Sequence, residues 1–237
     1  HLVQRPRLPV LSAMRKSLLL ALALLPAFAC AQEAGDWIAY RDAYRHMIWF
    51  EKYGKPKQFL QNHLRLRPRD AGVSTDGLRL TLHGKGAQLA LPLDALGRAV
   101  FPFSRAAYDD NAELAWNRKP GQITSSAWVS IVTRPDGVYA AADLRAACEQ
   151  LLAYLRSTGG ANGKRCAGVQ FSYARTDGAQ VRYQGGDGTA VPLAAQEGPA
   201  FPGDAVAGFR IFAYRFSAHP DGGQVLTGGT PLAIAAL

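Results

Sequence analysis

The stretch LRLTLHGKGAQLALPL, residues 78–93, decides the fold class of this chain. On both sides of the turn at Gly84-Lys85-Gly86, leucines alternate with polar or small residues. A period of two puts alternate side chains on opposite faces of a strand, so each side of the turn predicts a half-buried strand. We therefore expect a β-hairpin, and with it antiparallel pairing.

Short strands separated by turn signals recur along the rest of the chain. The turn Asp177-Gly178 predicts that residues 168–174 and 181–184 form a second hairpin. With 24 glycines and 14 prolines, turns are frequent, and strands at regular spacing are typical of a sandwich. The further predicted strands are 100–103, 114–117, 128–133, 190–194, 209–217, 225–226 and 232–237.

Three segments are predicted to be helical, two of them from apolar residues that recur along one face. The first is predicted over residues 36–53, with Asp36 as its N-cap. A second, short helix is predicted at 57–64. The third, at 140–156, has an apolar stripe that includes Cys148.

The N-terminal region has the layout of a secretory signal sequence. A basic pair follows Met14, and an apolar run over residues 18–28 leads to small residues. Such a run is too short to span a bilayer, which takes about 20 apolar residues. We interpret residues 14–31 as a cleavable signal peptide and residues 1–13 as lying upstream of the true start.

Two cleavage points fit the small residues that follow this run. Cleavage after Ala31 would release a chain beginning at Gln32, in the periplasm or outside the cell. Cleavage after Ala29 would leave Cys30 first, and residues 27–30 resemble the lipobox of bacterial lipoproteins, which are anchored at that cysteine. We favour the first product. Without residues 1–31 the chain keeps 23 basic and 18 acidic residues, a net charge of +5, which does not indicate a nucleic-acid partner.

If cleavage follows Ala31, two cysteines remain: Cys148 in the third predicted helix and Cys166 just before a strand. In an oxidising compartment two cysteines most often pair, and the short glycine-rich loop between them makes closure easy. Two separate buried thiols are the alternative. A disulfide would contribute roughly 3 kcal/mol in the chain-entropy model and would staple the helix to the sheet.

These patterns together predict a β-rich α+β protein. Its antiparallel, sandwich-like half is followed by an antiparallel sheet with one disulfide-stapled helix. We divide the chain into an N-terminal helical segment (32–71), a β-sandwich-like half (72–133) and a helix-plus-sheet half (134–237), with a soft boundary near 121–126.

No catalytic, cofactor or metal site is predicted from motifs. The string Gly185-Gly186-Asp187-Gly188-Thr189 matches the nucleotide-binding signature of diacylglycerol-type lipid kinases, but Pro192 disfavours the helix that must follow it, so we expect a turn. The histidines show no metal-ligand spacing, no Gly-x-Ser-x-Gly elbow occurs, and turn chemistry explains Asp109-Asp110. A site assembled from distant residues would leave no such motif.

A basic, aromatic segment at 41–69 is the candidate binding surface. It could contact anionic lipid headgroups, lipopolysaccharide or an acidic protein surface. The alternative, which we favour, is a helix that packs its aromatic residues on the sheet and leaves a solvated basic face. The basic residues of the segment are Arg41, Arg45, Lys52, Lys55, Lys57, Arg65, Arg67 and Arg69.

A family resemblance rests on two patterns. Residues 89–103, with Pro92-Leu-Asp94-x-x-Gly97 and then Phe101-Pro102-Phe103, resemble the strand–turn–strand of transthyretin-like sandwich modules. Together with the helix around 144–155 and the string at 230–234, they resemble uncharacterised exported proteins of proteobacteria, described as a domain of unknown function. The resemblance implies an exported protein with a sandwich segment and assigns no catalytic or binding residues.

The sequence favours a binding or structural role over catalysis. The first hypothesis is an exported envelope protein that binds an envelope protein or an anionic envelope component, without a cofactor. The second is a secreted hydrolase acting on cell-wall or carbohydrate polymer, and the third is an enzyme-inhibitor-like protein. A catalytic protein should show a pocket with convergent polar groups and perturbed titration, whereas a binding module should show a basic or apolar patch.

Overall fold

A computed structural model describes residues 35–220 and 222–237. The predicted signal peptide and Cys30 lie outside the described residues, so both cleavage alternatives stay predictions. Residues Glu33–Leu237 group as one compact unit.

The described residues form three helices and fifteen strands, and every strand pair is antiparallel. In chain order the elements are β1 (Asp36–Ala39), α1 (Tyr40–Lys52), β2 (Leu60–Pro68), β3 (Leu80–Gly84), β4 (Ala87–Leu91), β5 (Arg98–Ala99), α2 (Arg105–Asp109), β6 (Glu113–Trp116), β7 (Ile123–Ile131), β8 (Val138–Ala140), α3 (Ala141–Ser157), β9 (Gly168–Tyr173), β10 (Val181–Gln184), β11 (Ala190–Pro192), β12 (Ala195–Gly198), β13 (Phe209–Arg215), β14 (Gln224–Thr227) and β15 (Ala233–Ala236).

The first sheet has the strand order β1-β6-β3-β4 and contains the predicted hairpin. Strands β3 and β4 pair in the register Leu80↔Leu91 and Leu82↔Leu89, which confirms the hairpin. The four leucines do not share one environment: Leu89 is exposed, whereas Leu80 and Leu82 lie in a buried cluster with the apolar side of α1.

The first predicted helix is confirmed only from Tyr40 onward. Ala39, not Asp36, is its N-cap, and no side chain caps it there. Residues Asp36–Ala39 form β1 instead, because their backbone pairs with Glu113–Trp116. That pairing supplies the hydrogen bonds that a first helical turn would have left unmade.

The second sheet has the order β5-β2-β7, and the helix predicted at 57–64 is wrong. That segment belongs largely to β2, which pairs with β7 over nine residues, from Leu60↔Ile131 to Pro68↔Ile123. Long-range pairing satisfies the backbone of the whole segment and outweighs its weak local preference for helix. Strands β2 and β7 contribute to both large hydrophobic clusters, and β7 runs through the predicted boundary at 121–126. The division into halves stays a prediction.

Two four-stranded sheets form the C-terminal part, β11-β10-β14-β8 and β12-β13-β9-β15. The hairpin predicted across Asp177-Gly178 is wrong, because β9 and β10 lie in different sheets. All six residues of β9 are buried, and β13 and β15 occupy its two edges, so β10 has no edge to pair with. It pairs with β14 and β11 instead.

A disulfide joins Cys148 of α3 to Cys166, which confirms the predicted staple between helix and sheet. Cys148 is fully buried in the cluster that α3 shares with β9. The predicted fold class, a β-rich α+β protein with antiparallel sandwich-like sheets and one stapled helix, is therefore confirmed.

Candidate anion-binding site

One face of the β5-β2-β7 sheet is polar although it lies largely inside the protein. Paired residues of antiparallel strands share a face, and alternate residues change face. Leu64 and Leu66 of β2 enter the hydrophobic cluster on one side. The residues that share the other side are Gln61, His63, Arg65 and Arg67 of β2 with Thr124, Ser126, Trp128 and Ser130 of β7.

Arg65 is the centre of this face and is only 4% exposed. Its Nη1 and Nη2 donate to the two carboxylate oxygens of Asp204 at 3.1 and 2.6 Å, and its Nε donates to the Leu96 carbonyl at 2.9 Å. Burial lowers the pKa of Arg65, while the hydrogen bonds to Asp204 raise it. The guanidinium also lies beside two aromatic rings that pack edge-on against each other, with its Cζ 4.4 Å from the Trp128 centroid and 4.7 Å from the Phe201 centroid.

Arg98 of β5 is a second cation beside Phe201. Its Cζ lies 5.7 Å from the Phe201 ring centroid, and its three nitrogens donate to Asp94, Ser130 and the Leu232 carbonyl. Contacts between cations and aromatic rings contribute most where water is excluded. Together these contacts hold β2 and β5 against the loop that carries Phe201 and Asp204.

Arg67 of β2 contacts the Trp128 ring as well and has fewer partners than Arg65. Its Cζ lies 4.6 Å from the Trp128 centroid, and its Nη1 lies 3.8 Å from Asp204, the carboxylate that already binds Arg65. Its Nε is buried without a hydrogen-bond partner, although 31% of the side chain is exposed. Arg69, two residues further on, is exposed, and within residues 35–220 and 222–237 its guanidinium has no ion pair or hydrogen bond.

These side chains line a cavity of about 380 Å³, which we call the arginine cavity. Three of its lining residues are cationic and, within the described chain, one is acidic. Because Asp204 neutralises Arg65, about two positive charges remain for a ligand. The polar residues that line it are Arg65, Arg67, Arg69, Thr75, Thr124 and Asp204.

Four of the eight buried side-chain polar atoms that lack a hydrogen-bond partner in the described chain lie on this face. Besides Arg67 Nε, they are His63 Nδ1, Ser126 Oγ and Trp128 Nε1. Burial, followed by the charge of Arg98, lowers the pKa of His63, which favours the neutral ring. Buried polar groups without partners are uncommon in folded proteins and are one mark of a functional surface.

The structure divides the predicted basic surface into two groups. Arg65, Arg67 and Arg69 meet at the arginine cavity. The remaining five lie on or just after α1, and two of these already bind backbone: Arg41 donates to the carbonyls of Tyr108 and Asp109, and Lys57 to those of Phe50 and Glu51. Arg45 ion-pairs with Asp42 on the surface, and Lys52 and Lys55 are exposed.

Sequence reasoning missed the partners of these arginines. Trp128, Phe201 and Asp204 carry no motif, and Asp204 lies 139 residues from Arg65. The usable signal was the alternation Arg65-x-Arg67-x-Arg69, which puts three cations on one face once the segment is recognised as a strand.

Other predicted features have simple structural roles. The string at 185–189 is a turn between β10 and β11, in which Asp187 accepts from Thr189 N and Oγ1, so that prediction is confirmed. Those hydrogen bonds lower the pKa of Asp187. Within the described part of the chain, no group of three His, Cys, Asp or Glu side chains is placed to hold a metal ion. None of the three described helices is both long and apolar enough to cross a membrane.

Comparison of the chain with protein-family models, with curated proteins and with solved structures finds no match in any of the three. The resemblance to exported proteins with a transthyretin-like segment therefore stays a prediction.

Proposed function

We propose that this is an exported, non-catalytic binding protein that recognises an anionic group of an envelope component in the arginine cavity. One observation carries the proposal: Arg67 and Arg69 line a cavity in which the nearest carboxylate is already bound to Arg65.

The arrangement suits anion recognition for two reasons. A guanidinium presents a planar fork that matches the paired oxygens of a carboxylate or phosphate. Arg67 is also held in advance by Trp128, so little side-chain freedom is lost when a ligand arrives. The threonine hydroxyls of Thr75 and Thr124 add neutral donors to the same cavity.

Catalysis is less well supported, although the cavity does gather polar groups. The described residues that line it include no histidine or cysteine, and their one carboxylate is ion-paired. General acid–base or nucleophilic chemistry needs a group that is free to take a proton or attack. The hydrolase and inhibitor-like hypotheses stay predictions without a specific observation in their favour.

Export is supported by the predicted signal peptide together with the disulfide. Disulfides persist in oxidising compartments such as the periplasm and are rare in the cytosol. Cys148–Cys166 therefore fits a product that has left the cytosol, as an envelope-binding role requires.

Calorimetric titration of the purified, disulfide-bonded protein with inorganic pyrophosphate tests the binding site. We expect Arg67→Gln combined with Arg69→Gln to weaken binding by about tenfold or more, because charge-assisted hydrogen bonds are lost. The matched control, Lys52→Gln with Lys55→Gln, removes the same charge from the α1 group and should bind like the parent. Weakened binding in the Lys52→Gln, Lys55→Gln variant alone would place the site on α1. Absence of saturable binding in the parent protein and in this control would refute the proposal.

A further inference from the structure

A second cavity, of about 570 Å³, opens beside α3 and is lined mainly by apolar side chains. We call it the α3 cleft. Leu151, Leu152 and Leu155 of α3 form one wall, and Trp128 and Phe201 contribute to the lining. A volume of this size lies within the range of small-molecule sites, about 300–1,000 Å³.

The cleft exists because two sheets end next to each other. Strand β7 is the outer strand of its sheet and β15 is the outer strand of another, and both line the cleft without being paired to each other. The adjoining loop is anchored at Ala200, whose carbonyl accepts from Gln170 Nε2 and Ser172 Oγ. Phe201 packs edge-on against Trp128, with ring centroids 5.1 Å apart.

Two cations stand at the opening of the cleft. Lys164 and Arg165 line it and are exposed, and none of the described lining side chains is acidic. Their segment is fixed in place, because the next residue, Cys166, is bonded to α3 and Arg156 Nη2 donates to the Lys164 carbonyl at 2.7 Å. An apolar cavity with a positive rim is complementary to a molecule with a hydrocarbon body and a negative head.

We propose that the α3 cleft binds the hydrocarbon chain of a single-chain anionic amphiphile, such as a fatty acid, with its headgroup at Lys164 and Arg165. The two sites adjoin at Trp128 and Phe201 but use different cations: Arg67 and Arg69 do not line the cleft, and Lys164 and Arg165 do not line the arginine cavity. Because the charge variants of the two sites share no residue, either proposal can fail without the other.

The test uses 11-bromoundecanoate, because bromine quenches tryptophan fluorescence on contact. The chain has four tryptophans, and Trp128 is the one that lines the cleft. We expect saturable quenching in the parent protein and its loss in Trp128→Phe, in which calorimetry should still detect binding. Affinity should fall by about fourfold for each methylene removed from the probe, the fold-change that corresponds to about 0.8 kcal/mol per buried CH₂.

Charge variants test the headgroup separately. Lys164→Glu with Arg165→Glu should weaken binding of 11-bromoundecanoate roughly fivefold and leave binding of 11-bromoundecanol unchanged. The expected factor is small because each exposed ion pair contributes little. The matched control reverses two exposed cations elsewhere, Arg79→Glu with Lys85→Glu, and should bind like the parent.

Three results would overturn the proposal. The first is quenching that persists in Trp128→Phe, which would place the probe elsewhere. The second is equal affinity for the acid and the alcohol, which would show that the negative charge of the headgroup is not recognised. The third is absence of saturable binding. If the protein then sediments as a dimer and Leu155→Glu makes it monomeric, the cleft is an interface with a second copy of the chain.

Discussion

Arg65 shows how a buried charge is tolerated at the scale of one residue. An uncompensated charge inside a protein is strongly unfavourable, so a buried arginine needs both a counter-ion and hydrogen bonds. Arg65 has the bidentate Asp204 carboxylate, the Leu96 carbonyl and two aromatic faces. Its side chain and that of Asp204 are 5% and 8% exposed, which makes the pair a structural element and leaves Arg67 and Arg69 as the cations of the proposed anion site.

Asp204→Asn should destabilise the protein strongly, because it leaves the Arg65 charge buried without a counter-ion. We expect the free energy of unfolding to fall by roughly 3–5 kcal/mol in urea denaturation. Asp42→Asn breaks the exposed pair with Arg45 and serves as the control, with a loss below about 1 kcal/mol. Equal effects of the two substitutions would mean that the Asp204 pair is not desolvated as described.

His63 should make stability depend on pH. Its folded pKa is lowered from 6.5, first by burial and then by the charge of Arg98. The stability that a neutral His63 contributes is fully present above the pKa that this residue has in the unfolded chain. It is lost as the pH falls through the lower pKa that the residue has in the folded protein. The urea concentration at the unfolding midpoint should therefore be lower at about pH 5 than at about pH 7.5, and this difference should be smaller in His63→Gln. A difference of the same size in the variant would assign it to other groups.

At the scale of elements, local pairing was predictable and distant pairing was not. The β3–β4 hairpin follows from its leucine alternation and its turn, because both strands and their connection lie within one short stretch. The helix α3 follows from its apolar stripe. By contrast the first half of β2, residues 60–64, was mistaken for helix, since what makes it a strand is β7, some 60 residues away along the chain. The hairpin at 177–178 failed because β9 is enclosed by β13 and β15.

The Cys148–Cys166 disulfide should stabilise the fold by closing a loop in the unfolded chain. The cysteines are 18 residues apart, so the chain-entropy model gives roughly 3 kcal/mol. Cys148→Ala combined with Cys166→Ala should lower the free energy of unfolding by about that amount. The measurement is urea denaturation with and without reductant. Reductant should lower the free energy of unfolding of the parent and leave that of the double variant unchanged. A parent whose unfolding is insensitive to reductant would contradict stabilisation by the disulfide.

At the scale of the whole molecule, the basic residues of the 41–69 segment do not act as one surface. Sequence reasoning could identify them as cationic, yet it could not show that β2 and the residue after it bring three of them to a cavity while α1 carries others to solvent. That division depends on the loop around Phe201 and Asp204, which reaches β2 only in the folded chain. The arginine cavity and the α3 cleft are therefore properties of the tertiary structure.

The predicted leader has a direct test on the protein isolated from its host. Mass spectrometry should find a mature N-terminus at Gln32, since Ala29 and Ala31 satisfy the small-residue rule of signal cleavage. An N-terminal Cys30 carrying a lipid would show instead that the protein is a membrane-anchored lipoprotein. A chain that retains residues 14–31 would refute the predicted signal peptide.

The measurement that tests the central claim most directly is a nuclear magnetic resonance titration of the isotope-labelled, disulfide-bonded protein with inorganic pyrophosphate. We predict saturable changes in the backbone amide signals of Arg67, Arg69, Thr124 and the loop around Asp204, with little change in α1. Changes confined to Lys52 and Lys55, or none that saturate, would contradict anion binding in the arginine cavity.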